Sequence, residues 1–151
     1  LAYRSGRVAG RIAAMVNAIA SGGVFTQPSL VSGRVDAQKN IVEQAKTFSG
    51  RRVMSEQTAA LLRSFMKASV DSGTGRRGKP HFGTAGAKTA TAQTGRFVNG
   101  RELDDLWFTG FYPYDKPKYV IVVLSEGGDT GGTTCGPVFR AIADGLYGYV
   151  N

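Results

Sequence analysis

One short segment holds the residues whose types and spacing are best suited to chemistry. Residues 86–95 place one lysine, Lys88, and the hydroxyls of Thr89 and Thr91 among otherwise very small side chains. In a strand the two threonines point to one face, and a neighbour as small as Ala90 lets a ligand backbone come close. Such a strand can pair with an extended peptide, and the lysine and hydroxyls can hold a carboxylate. An edge strand that only packs its small residues is the alternative, and these residues alone do not decide between the two.

Two other sequence matches lack the context that their chemistry needs. Residues 73–79 fit the G-x-x-x-x-G-K pattern of phosphate loops, but a predicted helix precedes them and a strand follows, the reverse of what a phosphate loop requires. Ser64 and Lys67 spell Ser-x-x-Lys, a nucleophile motif of acyl-serine enzymes. Phe65 and Met66 between them fall on the apolar face of a predicted helix, and no Ser-x-Asn partner occurs in the chain. We interpret the first match as a basic loop and the second as chance.

The single histidine and single cysteine add little further chemistry. His81 has no evident companion base and is predicted to be an ordinary loop residue, and Cys135 is predicted to be a small buried residue. One Cys excludes a disulfide within the chain. One His with one Cys supplies too few ligands for a zinc site. We therefore expect no metal and no cofactor.

The 151 residues carry a net charge of +8 that is unevenly distributed. Residues 1–101 hold 16 Lys and Arg against 4 Asp and Glu, whereas residues 102–151 hold 3 against 7. A basic half suits a non-enzymatic binding module for nucleic acid or an anionic cell-wall polymer, which is the alternative function. Single-strand binders mix stacking rings with cations. We expect no nucleic-acid partner, because a cluster of aromatic residues lies in the acidic half, away from the basic residues: Trp107, Phe108, Phe111, Tyr112 and Tyr114.

The apolar pattern predicts two helices before the Lys-Thr strand. Residues 7–21 have apolar positions at helical spacing and end at Gly22-Gly23, a C-cap signal. Ser55 is suited to cap a second helix that runs to about Val70. The buried stripe of this helix is predicted to be Ala59, Leu62, Phe65, Met66 and Val70. The stretch between the helices is predicted to be irregular or short-stranded, with two apolar anchors, Val24-Phe25 and Leu30-Val31.

Three strands and a closing helix are predicted for the rest of the chain. The first strand extends from about Thr89 to residues 97–98, and an Asn99-Gly100 type I′ turn joins it to a second strand at 103–112. A third strand covers residues 119–124. A loop at 127–136 precedes a helix that begins near Pro137, with Val138, Phe139, Ile142 and Leu146 facing inward. This order predicts an α+β fold, a three-stranded antiparallel meander sheet covered by N-terminal and C-terminal helices.

The Lys-Thr-Ala-Thr-Ala sequence at residues 88–92 is part of a pattern that extends along nearly the whole chain. The other parts follow in order: residues 15–24 with Pro28, residues 55–70 with Gly73-Thr74-Gly75, residues 107–113 with 117–119, and residues 136–139. Together they resemble the transpeptidase domain of penicillin-binding proteins, in which Lys-Thr-Gly-Thr-Ala is one of three motifs. The resemblance implies a partial β-lactamase/transpeptidase-like fold. It also implies a parent enzyme that cross-links peptidoglycan stem peptides and is acylated by β-lactams.

By this resemblance Lys88 and Thr91 are catalytic, and Lys88, Thr89, Ala90 and Thr91 bind the substrate. Lys88 would orient the proton-transfer network and attract the terminal carboxylate, which the two threonine hydroxyls would bind. The Thr91 N–H would be one of two oxyanion-hole donors, and losing one such donor costs about 10²–10³ in rate. Ala90 stands where the family usually has glycine, which adds a methyl on the strand face opposite the threonines.

The Ser-x-x-Lys and Ser-x-Asn elements are absent in family context, and the family places both upstream of this region. We therefore expect residues 1–151 to be the C-terminal portion of a penicillin-binding transpeptidase domain. The nucleophile-bearing N-terminal portion would be its missing partner, and the chain alone would be inactive. Exposed strand edges and apolar faces are expected to cause self-association. The resemblance places the parent at the extracytoplasmic face of the bacterial membrane, although this chain shows no membrane segment or signal.

Overall fold

A three-stranded antiparallel sheet between helices forms the centre of the structure. The computed structural model describes residues 2–44 and 48–150, the side chains of residues 2–7 excepted. Its helices are α1 (Ala2–Ala20), α2 (Glu56–Asp71) and α3 (Gly136–Val150). Its strands are β1 (Val24–Phe25), β2 (Gly33–Val35), β3 (Ile41–Gln44), β4 (Arg51–Arg52), β5 (Gly86–Ala92), β6 (Phe97–Val98), β7 (Arg101–Glu102), β8 (Asp105–Tyr112) and β9 (Tyr119–Glu126). The central sheet has the order β5-β8-β9, which confirms the predicted α+β class and meander.

The helix ends are set by the residues that the sequence predicted as caps. Ser55 has an extended backbone, and its hydroxyl accepts a hydrogen bond from the N–H of Thr58 at 3.1 Å, so α2 begins directly after it. After α1, Gly22 has a φ of 73°, a conformation that favours a residue without a Cβ. The N–H of Gly23 then closes the helix end on the carbonyl of Ala18 at 2.7 Å. Both predicted helices are confirmed, and α1 begins before residue 7.

The two faces of the central sheet pack against different helices. Successive residues of a strand point to opposite faces, and in β8 the side chains of Leu106, Phe108 and Tyr112 are fully buried on the side of α3. There the ring of Phe139 from α3 lies 4.8 Å from the ring of Phe108. The opposite face packs against α1 and α2 through a cluster of Val16, Ala20, Met66 and Phe111. Because β5 pairs with β8 along its whole length, this packing also fixes the two faces of β5.

The Asn99-Gly100 turn closes a separate small hairpin rather than the central sheet. Both residues have positive φ, 51° and 76°, as a type I′ turn requires. The turn joins β6 to β7, and the N–H of Leu103 donates to the carbonyl of Arg96 at 2.7 Å at the base of this hairpin. Since β5 has already ended at Ala92, the predicted continuous strand from about Thr89 to residues 97–98 is wrong.

Several apolar residues that the patterns predicted to be buried are exposed. Phe65 of α2 is 59% exposed, and Val138 and Ile142 of α3 are 48% and 41% exposed. Leu30 and Val31, the predicted anchors of the middle segment, are exposed as well. Periodicity identifies an apolar face but not whether another element covers it. Within the described part of the chain, nothing covers these five side chains fully.

Two further properties of the described residues bear on function. The helices in this part of the chain are all too short or too polar to cross a membrane. Its His, Cys, Asp and Glu side chains form no group of three or more that could hold a metal ion.

Candidate functional site

The Lys-Thr strand β5 lies at an edge of the described sheet. It pairs with β8 on one side, and no described strand pairs with its other side. Lys88 and Ala90 point to the face that α1 and α2 cover, whereas Thr89 and Thr91 point to the opposite face. An edge of this kind presents main-chain N–H and C=O groups to which an extended ligand can bind.

A polar cavity of about 480 Å³ runs along this edge. It is lined by all four residues that the sequence singled out, Lys88, Thr89, Ala90 and Thr91, so the structure brings them together. No described Asp or Glu lines the cavity, and Lys88 is the one charged residue among those that do. The volume falls within the range of about 300–1,000 Å³ that is typical of ligand pockets. The arrangement can therefore hold an extended ligand that carries a carboxylate.

The polar groups along this cavity are only partly engaged. The Lys88 ammonium donates to the main-chain carbonyl of Thr89 at 2.5 Å. The hydroxyls of Thr89 and Thr74 share a hydrogen bond of 2.8 Å. Thr91 is exposed, and its hydroxyl has no hydrogen-bond partner among the described residues. A carboxylate that enters the cavity therefore finds donors in the Lys88 ammonium and the Thr91 hydroxyl.

Two glycines bring the loop after β9 close to β5. A Cβ at Gly131 would lie 2.3 Å from the carbonyl oxygen of Trp107 and 2.6 Å from that of Ala90. A Cβ at Gly132 would lie 2.3 Å from the carbonyl oxygen of Thr74. Real Cβ atoms do not come this close to backbone atoms, so the backbone approach depends on glycine at both positions.

The second wall of this cavity was not predicted from the sequence. Thr74 and the segment 130–132 line it opposite the strand; Thr74 lies in the loop after α2, whereas Gly131 and Gly132 begin a π-helical turn, Gly131–Cys135, that leads into α3. Both segments were predicted only as loops. The available signal was the Gly131-Gly132 pair, because glycine can mark a position where another backbone approaches closely.

A larger cavity of about 900 Å³ on the other face of β5 is almost entirely apolar. Apolar residues of α1 and α2 line it, including the exposed Met15 and Phe65. Lys88, Ala90 and Trp107 line it from the sheet. The Ala90 methyl is exposed in this open space, so alanine is accommodated where the resemblance predicted glycine.

Two hydroxyl groups in the wall of this apolar cavity lack partners. The Oγ atom of Ser69 and the Oγ1 atom of Thr109 are buried and form no hydrogen bond. A buried polar atom left unpaired costs about 1–3 kcal/mol. The cavity also presents exposed apolar side chains, as expected of a surface that another element covers.

Neither Ser64 nor Cys135 is placed as a nucleophile. The Ser64 hydroxyl donates to the carbonyl of Leu61 at 2.7 Å, whereas Lys67 forms an ion pair with Asp71. The Ser-x-x-Lys match therefore brings no serine and base together here. Cys135 is 1% exposed, and burial raises the pKa of its thiol, which disfavours the reactive thiolate.

His81 has a partner that the sequence did not reveal. Its Nδ1 atom lies 2.7 Å from Oδ2 of Asp144, and the N–H groups of His81 and Phe82 donate to Oδ1 at 2.8 and 3.4 Å. Partial burial raises the pKa of Asp144, but the hydrogen bonds from His81 and Phe82 outweigh it and hold the pKa below its usual value. The expectation of a histidine without a companion is wrong, because its partner lies 63 residues away on α3. Neither residue lines the β5 cavity, so the pair ties a loop to a helix.

The sheet, its helices and the Lys-Thr-Ala-Thr edge strand together define a class of protein. A Lys-Thr strand of this kind characterises acyl-serine enzymes that react with penicillins. A family model described as "Penicillin binding protein transpeptidase domain" matches residues 10–144. The chain belongs to this family, which confirms the resemblance that residues 88–92 suggested.

Individual relatives agree with this assignment. Penicillin-binding protein PbpB of Mycolicibacterium smegmatis is 28% identical over 151 residues, which cover 90% of this chain and 23% of PbpB. The probable peptidoglycan D,D-transpeptidase PenA of Neisseria gonorrhoeae is 35% identical over 111 residues, 68% of this chain and 19% of PenA. Penicillin-binding protein 3 of Mycobacterium tuberculosis, solved in complex with aztreonam, matches 91% of this chain and 34% of its own with a TM-score of 0.75 and 27% identity. The chain thus spans a quarter or less of these curated relatives, and its fold is part of the transpeptidase fold.

Proposed function

We propose that this chain is the substrate-binding side of a peptidoglycan D,D-transpeptidase and that residues 1–151 are the C-terminal portion of its transpeptidase domain. The observation that carries the proposal is the edge strand, where Lys88, Thr89, Ala90 and Thr91 line one polar cavity without a competing carboxylate. Membership of the transpeptidase family supports the reaction class. The D,D-transpeptidase activity named for the relative PenA supports the substrate, a peptide that ends in D-amino acids.

The proposed roles follow from the groups that each residue offers. A peptide pairs with the free edge of β5, and its terminal carboxylate lies along that edge, where Lys88 lines the cavity from one face of the strand and Thr89 and Thr91 line it from the other. Lys88 also orients proton transfer to the nucleophile. The Thr91 N–H donates to the oxyanion that develops during acyl transfer, together with the N–H of the nucleophile. β-Lactams occupy the same cavity, and the solved complex of the similar penicillin-binding protein 3 with aztreonam supports this assignment.

The nucleophile and its base come from another part of the parent enzyme. The apolar cavity supports this division, because it leaves Met15 and Phe65 exposed to solvent. An N-terminal part of the transpeptidase domain that packs here would cover these two side chains and place its serine near Lys88. The chain alone is then inactive. The parent acts at the extracytoplasmic face of the bacterial membrane, where its peptidoglycan substrate lies.

A basic module for nucleic acid or an anionic wall polymer is the alternative, and the placement of the aromatic rings argues against nucleic acid. Trp107 is 8% exposed, and Phe108, Phe111 and Tyr112 are fully buried. Tyr114 is half-buried and stacks on the ring of Phe111. Rings in these positions are not available to stack on bases. A steep loss of polymer binding with added salt would favour the alternative.

Titration of the isotope-labelled chain with acetyl-D-Ala-D-Ala, followed by NMR, tests the proposal. The peptide should shift the amide signals of residues 88–91. Replacing Lys88 with Gln should weaken binding about fivefold, because an exposed charged contact contributes up to roughly that factor. Lys116→Gln is the matched control, since Lys116 is an exposed lysine in the turn before β9 that does not line the cavity. Equal effects of the two substitutions, or no shift at residues 88–91, would contradict the proposed site.

Fluorescent penicillin tests the predicted inactivity of the isolated chain. We expect no covalent label after denaturing electrophoresis, because no described serine is paired with a base. Ser64→Ala should behave in the same way as the unmodified chain, since the Ser64 hydroxyl is bonded to the Leu61 carbonyl. Robust labelling of the unmodified chain at Ser64 or at any other residue would refute the assignment of the nucleophile to another part of the parent.

A further inference from the structure

A second polar cavity, of about 240 Å³, adjoins the cavity along β5. Its side chains include Arg76, Arg77 and Thr133. Thr74, Thr130 and Gly132 line both cavities, so the two share a wall. An extended ligand that lies along β5 can therefore continue past this wall towards the two arginines.

The two arginines of the second cavity are unpaired. Neither Arg76 nor Arg77 forms an ion pair or a side-chain hydrogen bond with a described residue. The nearby cations differ in this respect, because Lys67 and Lys79 both pair with Asp71. No described Asp or Glu lines either cavity. A guanidinium presents a planar fork of N–H donors that matches a carboxylate. The cavity can therefore bind an anion, because no described carboxylate in it neutralises the two arginines.

The backbone that carries the arginines is held against the core. Arg76–Gly78 forms one 3-10 turn, and a Cβ at Gly78 would lie 2.2 Å from the Cζ atom of Phe108. On the other side, a Cβ at Gly136 would lie 3.2 Å from the Cβ of Arg77. The turn is therefore packed between a buried ring of β8 and the start of α3. Because β8 also pairs with β5, the turn keeps a fixed distance from the ligand-binding strand, which limits the ordering entropy lost on binding.

We propose that Arg76 and Arg77 form a second anion-binding subsite and that the preferred ligand is a peptide with two carboxylates. The terminal carboxylate lies at Lys88, Thr89 and Thr91, and a side-chain carboxylate further along the same peptide lies at the arginines. One peptide accounts for both subsites because the cavities share a wall and together hold three unopposed cations. The inference rests on the proposed function and names the substrate class of the same site.

Matched peptides test the second subsite by NMR titration of the isotope-labelled chain. The probes are acetylated tetrapeptides that end in D-Ala-D-Ala and carry either Glu or its uncharged isostere Gln at one of the two upstream positions. At one position the Glu peptide should bind about fivefold more tightly than the Gln peptide, the upper range for an exposed ion pair. In the double variant Arg76→Gln/Arg77→Gln this preference should disappear, while the Gln peptide keeps its affinity. The control Arg51→Gln/Arg101→Gln removes the same charge outside both cavities and should retain the preference.

Each other outcome counts against a specific part of the reasoning. Equal binding of Glu and Gln peptides at both positions overturns the second subsite and leaves the proposed function intact. A preference that survives in Arg76→Gln/Arg77→Gln but falls in the control also overturns it, because overall charge would then be the cause. If only the Glu peptide binds and its binding depends on the arginines, the second subsite stands and the Lys88 site fails. Binding of inorganic polyphosphate but of neither peptide overturns both.

Discussion

Replacing Gly132 with alanine should disturb the β5 cavity more than one added methyl suggests. Its Cβ would lie 2.3 Å from the carbonyl oxygen of Thr74, whereas ordinary contact begins at 3.4 Å, so the loop or Thr74 must move by about 1 Å. Overpacking of this kind costs about 1–3 kcal/mol. Because the hydroxyl of Thr74 bonds to that of Thr89 at 2.8 Å, the movement also weakens a contact of the ligand-binding strand.

Urea denaturation followed by Trp107 fluorescence measures this effect, and the free energy of unfolding of Gly132→Ala should fall by about 1–3 kcal/mol. Gly145→Ala is the matched control, because no atom lies within 4 Å of its new Cβ on α3. There alanine is the better helix former and should stabilise the chain by about 0.5–1 kcal/mol. The amide signals of Thr74 and Thr89 should shift in the first variant only. Unchanged stability and unchanged signals in Gly132→Ala would refute the reasoning from this contact.

Three further predictions concern the core, the loop tie and the sheet edge. Phe139→Ala should lower the free energy of unfolding by about 3–5 kcal/mol in urea, since Phe139 is fully buried against Phe108, and a loss below about 1 kcal/mol would contradict that packing. Asp144→Ala should cost about 1–3 kcal/mol, because His81 and Phe82 lose their acceptor. The pKa of Asp144 is lowered on folding, so its stabilisation is complete above the usual carboxyl pKa and is lost as the pH falls through the folded value. Urea midpoints measured across acid pH should show a weaker acid dependence in Asp144→Ala, and an unchanged dependence would speak against this role. The mass from light scattering should rise with concentration, because β9 has no second strand partner in the described sheet and apolar helix faces are exposed. A monomer mass at every concentration would contradict the predicted self-association.

The sequence predicted best those features whose geometry is set within a few residues. Ser55 caps α2 because its hydroxyl reaches an N–H three residues later. Asn99-Gly100 forms a type I′ turn because both residues tolerate positive φ. The sequence also identified Lys88–Thr91 as part of a strand, although this strand ends at Ala92 and does not continue to residues 97–98. These features depend on local conformational preferences, which the sequence displays directly.

Features that depend on distant segments were predicted poorly. Phe65 and Val138 lie at apolar positions of amphipathic helices, but periodicity gave no sign that their side chains are exposed. The contact between His81 and Asp144 joins residues 63 positions apart, with no pattern in either segment to indicate it. The candidate site also combines a feature with local determinants and one that depends on distant segments. Its strand was found from the sequence, whereas the wall that includes Thr74 depends on how two loops fold against it.

The glycines around the two polar cavities limit which substitutions this protein can tolerate. In a saturation-mutagenesis library, substitutions of Gly78, Gly131 and Gly132 should be depleted, because even an added Cβ would lie within 2.3 Å of a ring or carbonyl atom and would destabilise the fold. New ligand preferences, whether selected in nature or by engineering, must therefore arise from side chains that project from a fixed backbone. Substitutions of Arg76 and Arg77 would reduce the stability of the fold least, because both side chains are exposed and unpaired in the described structure.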